Sequence, residues 1–169
     1  MKKQAPKNLK IVAHRKKIDD LFEKISSIPN SADKSEWSKY LCVLVSGYIE
    51  ESLRVLLEEY CENRASDTIQ NFVSKHISRV TNCNTKRIEE ILGSFDETLK
   101  NNFTDQIVAN SEIKDEIKNS IDSIIANRHP IVHGRSVGIS YAQVLKYYEN
   151  VKKAVEILEI IIKKTHHIN

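Results

Sequence analysis

The chain has 169 residues, about the length of one average domain, and its content of 40% hydrophobic and 29% charged residues is that of a globular protein with one core. No run approaches the roughly 18 apolar residues that span a bilayer, and the basic N-terminus lacks the apolar segment of a secretory signal, so a cytoplasmic protein without membrane contact is expected. Cys42, Cys61 and Cys83 lie far apart with no C-x-x-C pair, which argues against a disulfide framework or a zinc knuckle.

The net charge is only +3, yet residues 1–18 hold Lys2, Lys3, Lys7, Lys10, Arg15, Lys16 and Lys17 and no acid. Such an arm either forms a solvated helix face or attracts a polyanion such as RNA by counterion release, with Arg15, Lys16 and Lys17 as its contacts. Four glycines, three prolines and the lack of alternating β-branched runs point to an all-α chain. A first helix is expected from about Asn8 to Ile28, stopping before Pro29. Asp33 or Ser35 can cap a second, longer one, in which Leu41, Val45, Ile49, Leu53, Leu56 and Tyr60 keep a spacing of three or four. That spacing predicts a central, largely buried helix.

Ser66 or Asp67 starts a third segment, and Thr85 starts a short fourth, "TKRIEEILG", which Gly93 should stop. After residues 95–107, Ser111 can cap "EIKDEIKNSIDSIIANR" and Ser140 can cap "YAQVLKYYENVKKAVEILEIIIKK". In the last helix Val144, Tyr148, Val151, Val155, Leu158 and Ile162 alternate steps of four and three, the seam of a helix lying along a neighbour. No repeat, low-complexity segment or long linker divides the chain, so residues 1–169 are expected to form a single helical-bundle domain.

Between the last two helices stands "NRHPIVHGRS", residues 127–136. The apolar stripe Ile113, Ile117, Ile121, Ile124 leads next to Arg128, which therefore points toward the bundle or a partner chain. A guanidinium there keeps its charge and seeks a carboxylate or phosphate, unless the helix frays and releases it to solvent. Pro130 disfavours helical geometry at His129 and should kink or end the helix. Gly134 then permits a tight path onward from His133. An arginine to hold a phosphodiester and a histidine to move a proton are the minimum for metal-free RNA cleavage. The R-x4-H spacing alone is weak, because seven arginines and six histidines in this chain give a chance expectation of about 0.25.

Together with its surroundings the segment resembles the HEPN superfamily, in particular its RiboL-PSP-HEPN-like branch. "SGYIEESLRVLLEEY" is similar to the family's long helix, "NTKRIEEILGSF" to its short middle helix, and "IDSIIANRHPIVHGRS" to its R-x4-6-H segment. The resemblance covers most of the chain. It implies an HEPN-like all-α bundle with long antiparallel core helices and short additional ones. It further implies a homodimer in which two motifs face one another, commonly as a metal-independent endoribonuclease without cofactor.

Carried across, the family's arginine falls on Arg128, the polar position after it on His129, the histidine on His133 and the long-helix glutamate on Glu50. Gly47 lies one turn before Glu50 and would let another helix come close, so that Glu50 could orient Arg128 through a bidentate pair. The alternative for Glu50 is a surface pair with Arg54. The family often has asparagine where His129 stands, and a branch regulated by nucleotidyl transfer has a tyrosine where Arg135 stands, so that control is not expected here. Arg135 is expected instead to help hold the RNA strand. The resemblance also implies a toxin or antiphage-defence setting with an antitoxin or defence partner.

Two other classes compete. His129 and His133 have the spacing of two metal ligands on one helical face, but Pro130 between them and the missing glutamate of H-E-x-x-H argue against a metal centre. His166 and His167 form an exposed tail pair, Tyr147 could stack on a base where Tyr148 belongs to the seam, and His76 and Cys83 have no evident partner. The rival to a nuclease is a non-catalytic module of the same fold that binds RNA, a nucleotide or a protein.

Overall fold

The structure is a computed structural model that describes residues 8–62, 64–108 and 112–164. Lys2, Lys3 and Lys7, the proposed Ser111 cap and the His166–His167 pair lie outside the described residues. These form helices α1 (Leu9–Ser26), α2 (Ser31–Glu62), α3 (Asp67–Ile77), α4 (Thr85–Phe95), α5 (Glu97–Phe103), α6 (Glu112–Val132) and α7 (Tyr141–Lys164), with a π-helical turn at Thr104–Val108 and no strand.

The apolar periodicity explains the core. Every seam position named on α2 is buried, as is every one on α7, and both join Ile18, Phe22, Ile88, Leu92, Phe103, Ile121 and Ile124 in one continuous cluster. α2 is central, packed against α1, α3, α6 and α7. α1 runs antiparallel to α2 and α7. Lys34 Nζ donates to the Ser26 carbonyl at one end, and the Asn8 backbone N–H and side-chain amide reach Glu159 and Glu59 at the other. In between, Phe22 and Tyr148 stack with ring centres 4.8 Å apart. Tyr148 donates to Asp19 Oδ1 at 2.8 Å, and burial, followed by that bond, raises its hydroxyl above the ordinary tyrosine range.

Helix ends follow from local chemistry, not always at the expected residues. Asn8 caps α1 by accepting from the backbone of Lys10 and Ile11. α2 begins at Ser31, ahead of Asp33 and Ser35, because the Asn30 side chain accepts from the Ala32 N–H. Ser140 and Gln143 form a reciprocal capping box at α7: Ser140 N–H donates to Gln143 Oε1 at 3.0 Å, and Gln143 N–H to Ser140 Oγ at 3.3 Å.

Gly93 does not stop α4, which continues to Phe95. A Cβ at Gly93 would lie 2.9 Å from Lys100 Cδ, so this glycine admits the close return of α5. The turn between them is made by Asp96, whose carboxylate accepts from Thr98 N–H at 2.8 Å and from the Tyr60 hydroxyl at 2.9 Å. The Thr98 bond, ahead of that from Tyr60, holds the Asp96 carboxyl below its ordinary range. Asp96→Ala should therefore cost about 1 kcal/mol in urea unfolding at neutral pH. Because the folded carboxyl titrates below the unfolded one, that difference is present above about pH 4 and shrinks as acid protonates the folded group. An unchanged gap between wild type and variant at pH 3 and pH 7 would refute this role.

Candidate functional site

The end of α6 departs most from local expectation. Pro130 does not end the helix: α6 runs through it to Val132. Proline removes one amide donor and crowds the preceding turn, at about 3 kcal/mol in a helix interior, so other contacts must outweigh it. Ile124 and Ile125 are buried just before it, and Ile131 packs on the core just after. The helix then closes in a Schellman turn: Arg135 N–H donates to the Pro130 carbonyl at 2.9 Å and Gly134 N–H to the Ile131 carbonyl at 3.0 Å. Gly134, at φ 69°, supplies the left-handed step this closure requires. His133 is thereby fixed at the C-cap of α6.

Arg128 is half-buried and does extend the stripe of Ile117, Ile121 and Ile124, all buried. Its Nη1 donates to the side-chain oxygen of Asn82 at 3.0 Å. The bidentate pair expected with Glu50 is not formed. Glu50 Oε1 instead accepts from the Asn82 backbone N–H at 2.7 Å, so Asn82 stands between carboxylate and guanidinium. The surface pairing of Glu50 with Arg54 is not formed either, since Arg54 pairs with Glu51. Asn82 has φ 57°, a left-handed backbone that asparagine tolerates better than most residues. The geometry therefore positions Arg128 through a neutral amide and leaves its charge without a carboxylate among the described residues.

Gly47 does not receive a neighbouring helix among the described residues, for a Cβ there would meet nothing within 4 Å. The α2 surface one turn before Glu50 is open. His129, His133 and Arg135 are all exposed, and the two imidazole rings lie with centres 4.6 Å apart.

The basic arm is not brought to this place. Arg15 ion-pairs with Glu156 of α7 at 2.6 Å and lies in a recess beside Tyr48, on the side of α2 turned roughly 200° from Glu50. Lys16 and Lys17 are exposed on α1. A polar recess nearer the motif escaped the sequence reading: Thr81, Asn82, Asn84, Lys86, Arg87 and Glu90 line it, Arg87 pairs with Glu90 at 3.1 Å, and it shares Asn82 with Arg128. One signal was available, because α4 opens with Lys86 and Arg87 and no acid, against the usual preference of a helix N-terminus. The cysteines offer no nucleophile at neutral pH: burial pushes the Cys42 and Cys83 thiols up to about 12 and raises that of Cys61.

An all-α bundle with an arginine and a histidine closing its penultimate helix, braced from the long central helix, defines a protein of HEPN type. The chain belongs to the RiboL-PSP-HEPN family, whose model matches residues 10–164 and so includes every described residue considered for the site. No curated protein and no solved structure matches it. Among the described residues no helix is long and apolar enough to cross a membrane.

The bridge through Asn82 can be separated from the backbone turn it makes. Asn82→Gly keeps the left-handed conformation and the amide that Glu50 binds, but removes the oxygen that holds Arg128. Stability should change by less than about 1 kcal/mol, while any phosphate affinity that Arg128 provides falls about tenfold, the worth of one charge-assisted hydrogen bond. Unaltered affinity in that variant would show that Arg128 needs no bracing.

Proposed function

We propose that this chain is a metal-independent endoribonuclease whose active site is completed by a second copy of itself. The observation that carries the reading is the state of Arg128: a guanidinium held in place by a neutral amide, with no carboxylate among the described residues to quench it, at the helix end that also presents His133. Such a group is ready for a phosphodiester. Arg128 and His133 are five positions apart, about 140° around a helix, which favours a substrate bridging two facing motifs over one lodged in a single chain. An interface is also supported by exposed Val132 beside His133, by exposed Trp37 and Tyr40 on α2, and by the open surface at Gly47. Cys42 Sγ lies 3.5 Å from the Ile124 carbonyl, so the first half of α2 adjoins the second half of α6.

The chemistry uses what RNA brings. One His133 takes the proton of the 2′-hydroxyl as its oxygen attacks phosphorus. The other His133 returns a proton to the departing 5′-oxygen, and Arg128 stabilises the charge gathering on the phosphorane. The products are a 2′,3′-cyclic phosphate and a 5′-hydroxyl. Arg135 and Lys86 hold the strand near the motif, whereas Arg15, Lys16 and Lys17 serve as a more distant attraction. The same reading includes a toxin or antiphage-defence setting, in which a partner protein restrains the activity until needed. The test is incubation with a mixed RNA pool in excess chelator beside Arg128→Ala. Cleavage by wild type alone supports the nuclease; intact RNA with both, from a chain shown to be dimeric, favours the binding module.

A further inference from the structure

His129 and His133 stand one turn apart at the end of α6, exposed, with ring centres 4.6 Å apart and planes inclined at 59°. In the sequence, Pro130 argues against a shared metal ion because it should break the turn between them. The fold removes that objection, since α6 continues through Pro130 and the Schellman closure fixes His133. Two imidazoles on one tetrahedral zinc ion, each with a Zn–N bond of about 2.0–2.1 Å, hold their ring centres about 5 Å apart. The observed separation of 4.6 Å brings the two rings within reach of that arrangement by rotation about their side-chain bonds. Neither ring is engaged by a hydrogen bond or an ion pair among the described residues.

The other objection holds: no glutamate lies between them, and no third histidine, cysteine or carboxylate joins them among the described residues. The site is therefore not a zinc hydrolase centre but an open two-nitrogen chelate with further positions for water or phosphate. We propose that His129 and His133 bind a late first-row divalent cation, Zn2+ or Ni2+, and that the bound ion inhibits RNA cleavage by occupying the imidazole nitrogen with which His133 moves protons. The binding stands on the geometry alone; the inhibition rests on the ribonuclease reading. Together they describe a nuclease that works in excess chelator and stops when zinc is added.

The test is titration of Zn2+ into the full chain without RNA, followed by calorimetry and by the imidazole nitrogen signals in NMR. Loss of an outer partner of a metal site already costs 10–100-fold, so His129→Ala and His133→Ala should each weaken binding at least about tenfold. His166→Ala/His167→Ala should bind as wild type does. The His129 and His133 ring signals should move together while those of His14 and His76 stay. Binding unaffected in both single variants, or lost only in the tail variant, overturns the site. In a parallel arm, saturating Zn2+ should slow wild-type cleavage at least about tenfold. Zinc bound at the pair without slower cleavage overturns the inhibition and keeps the site. A chain that cleaves no RNA overturns the nuclease reading and the inhibition, and the titration still decides the site.

Discussion

Replacing His133 by alanine is expected to lower RNA cleavage by at least about 100-fold, the lower range of what a positioned proton-transfer group contributes. If both copies of the residue serve, one as base and one as acid, the loss extends toward about 10,000-fold, because a single substitution removes both roles. The fold should be untouched, since the ring is exposed and the helix end is closed by the backbone of Pro130, Ile131, Gly134 and Arg135. Initial rates at equal dimer concentration, with circular dichroism on the same samples, provide the comparison. His133→Asn refines it: asparagine keeps a hydrogen bond but cannot carry a proton between oxygens. Activity retained in that variant within a few-fold would assign His133 to binding and not to proton transfer.

The largest effect on stability is expected from the middle of α2. Leu56 is completely buried in the central helix, and Leu56→Ala removes three carbons from a site surrounded by packed elements. Such truncations cost 2–5 kcal/mol, by lost burial and by the cavity left behind. For a chain of this length a loss of about 3 kcal/mol lowers Tm by roughly 6–12 °C. Thermal and urea unfolding should agree on it, and a cost under about 1 kcal/mol would contradict the central place of α2.

How far the molecule was legible in its sequence varies with the range of the forces involved. The α2 and α7 seams are written in a local period, and tertiary packing follows that period without exception at the positions named. The ends of helices are weaker signals because local preferences of about 1–3 kcal/mol compete with packing. Pro130 loses that contest to the buried isoleucines around it and to a glycine four positions on. Gly93 reads as a stop, yet what it provides is room for Lys100, a contact that exists only once α5 folds back.

The site itself was half legible. Arg128 and His133 lie close in sequence and carry a recognisable spacing, so they could be singled out together with Glu50. The bridge could not. Asn82 is 32 residues from Glu50 and 46 from Arg128, and nothing in "TNCN" announces that its backbone will serve one and its side chain the other. The place of the basic arm was not legible for a related reason. Charge density along the sequence does not say which face of a helix the charges will share, and Arg15 spends its own on Glu156.

Facing copies of Arg128 and His133 are proposed to cleave RNA through its own 2′-hydroxyl, and the ends of the products decide whether they do. Wild-type protein in excess chelator, incubated with a mixed RNA pool and followed by end-group mapping, should leave 2′,3′-cyclic phosphates and 5′-hydroxyls. Fragments ending in 3′-hydroxyl and 5′-phosphate, or RNA left whole by a folded dimer, would contradict it.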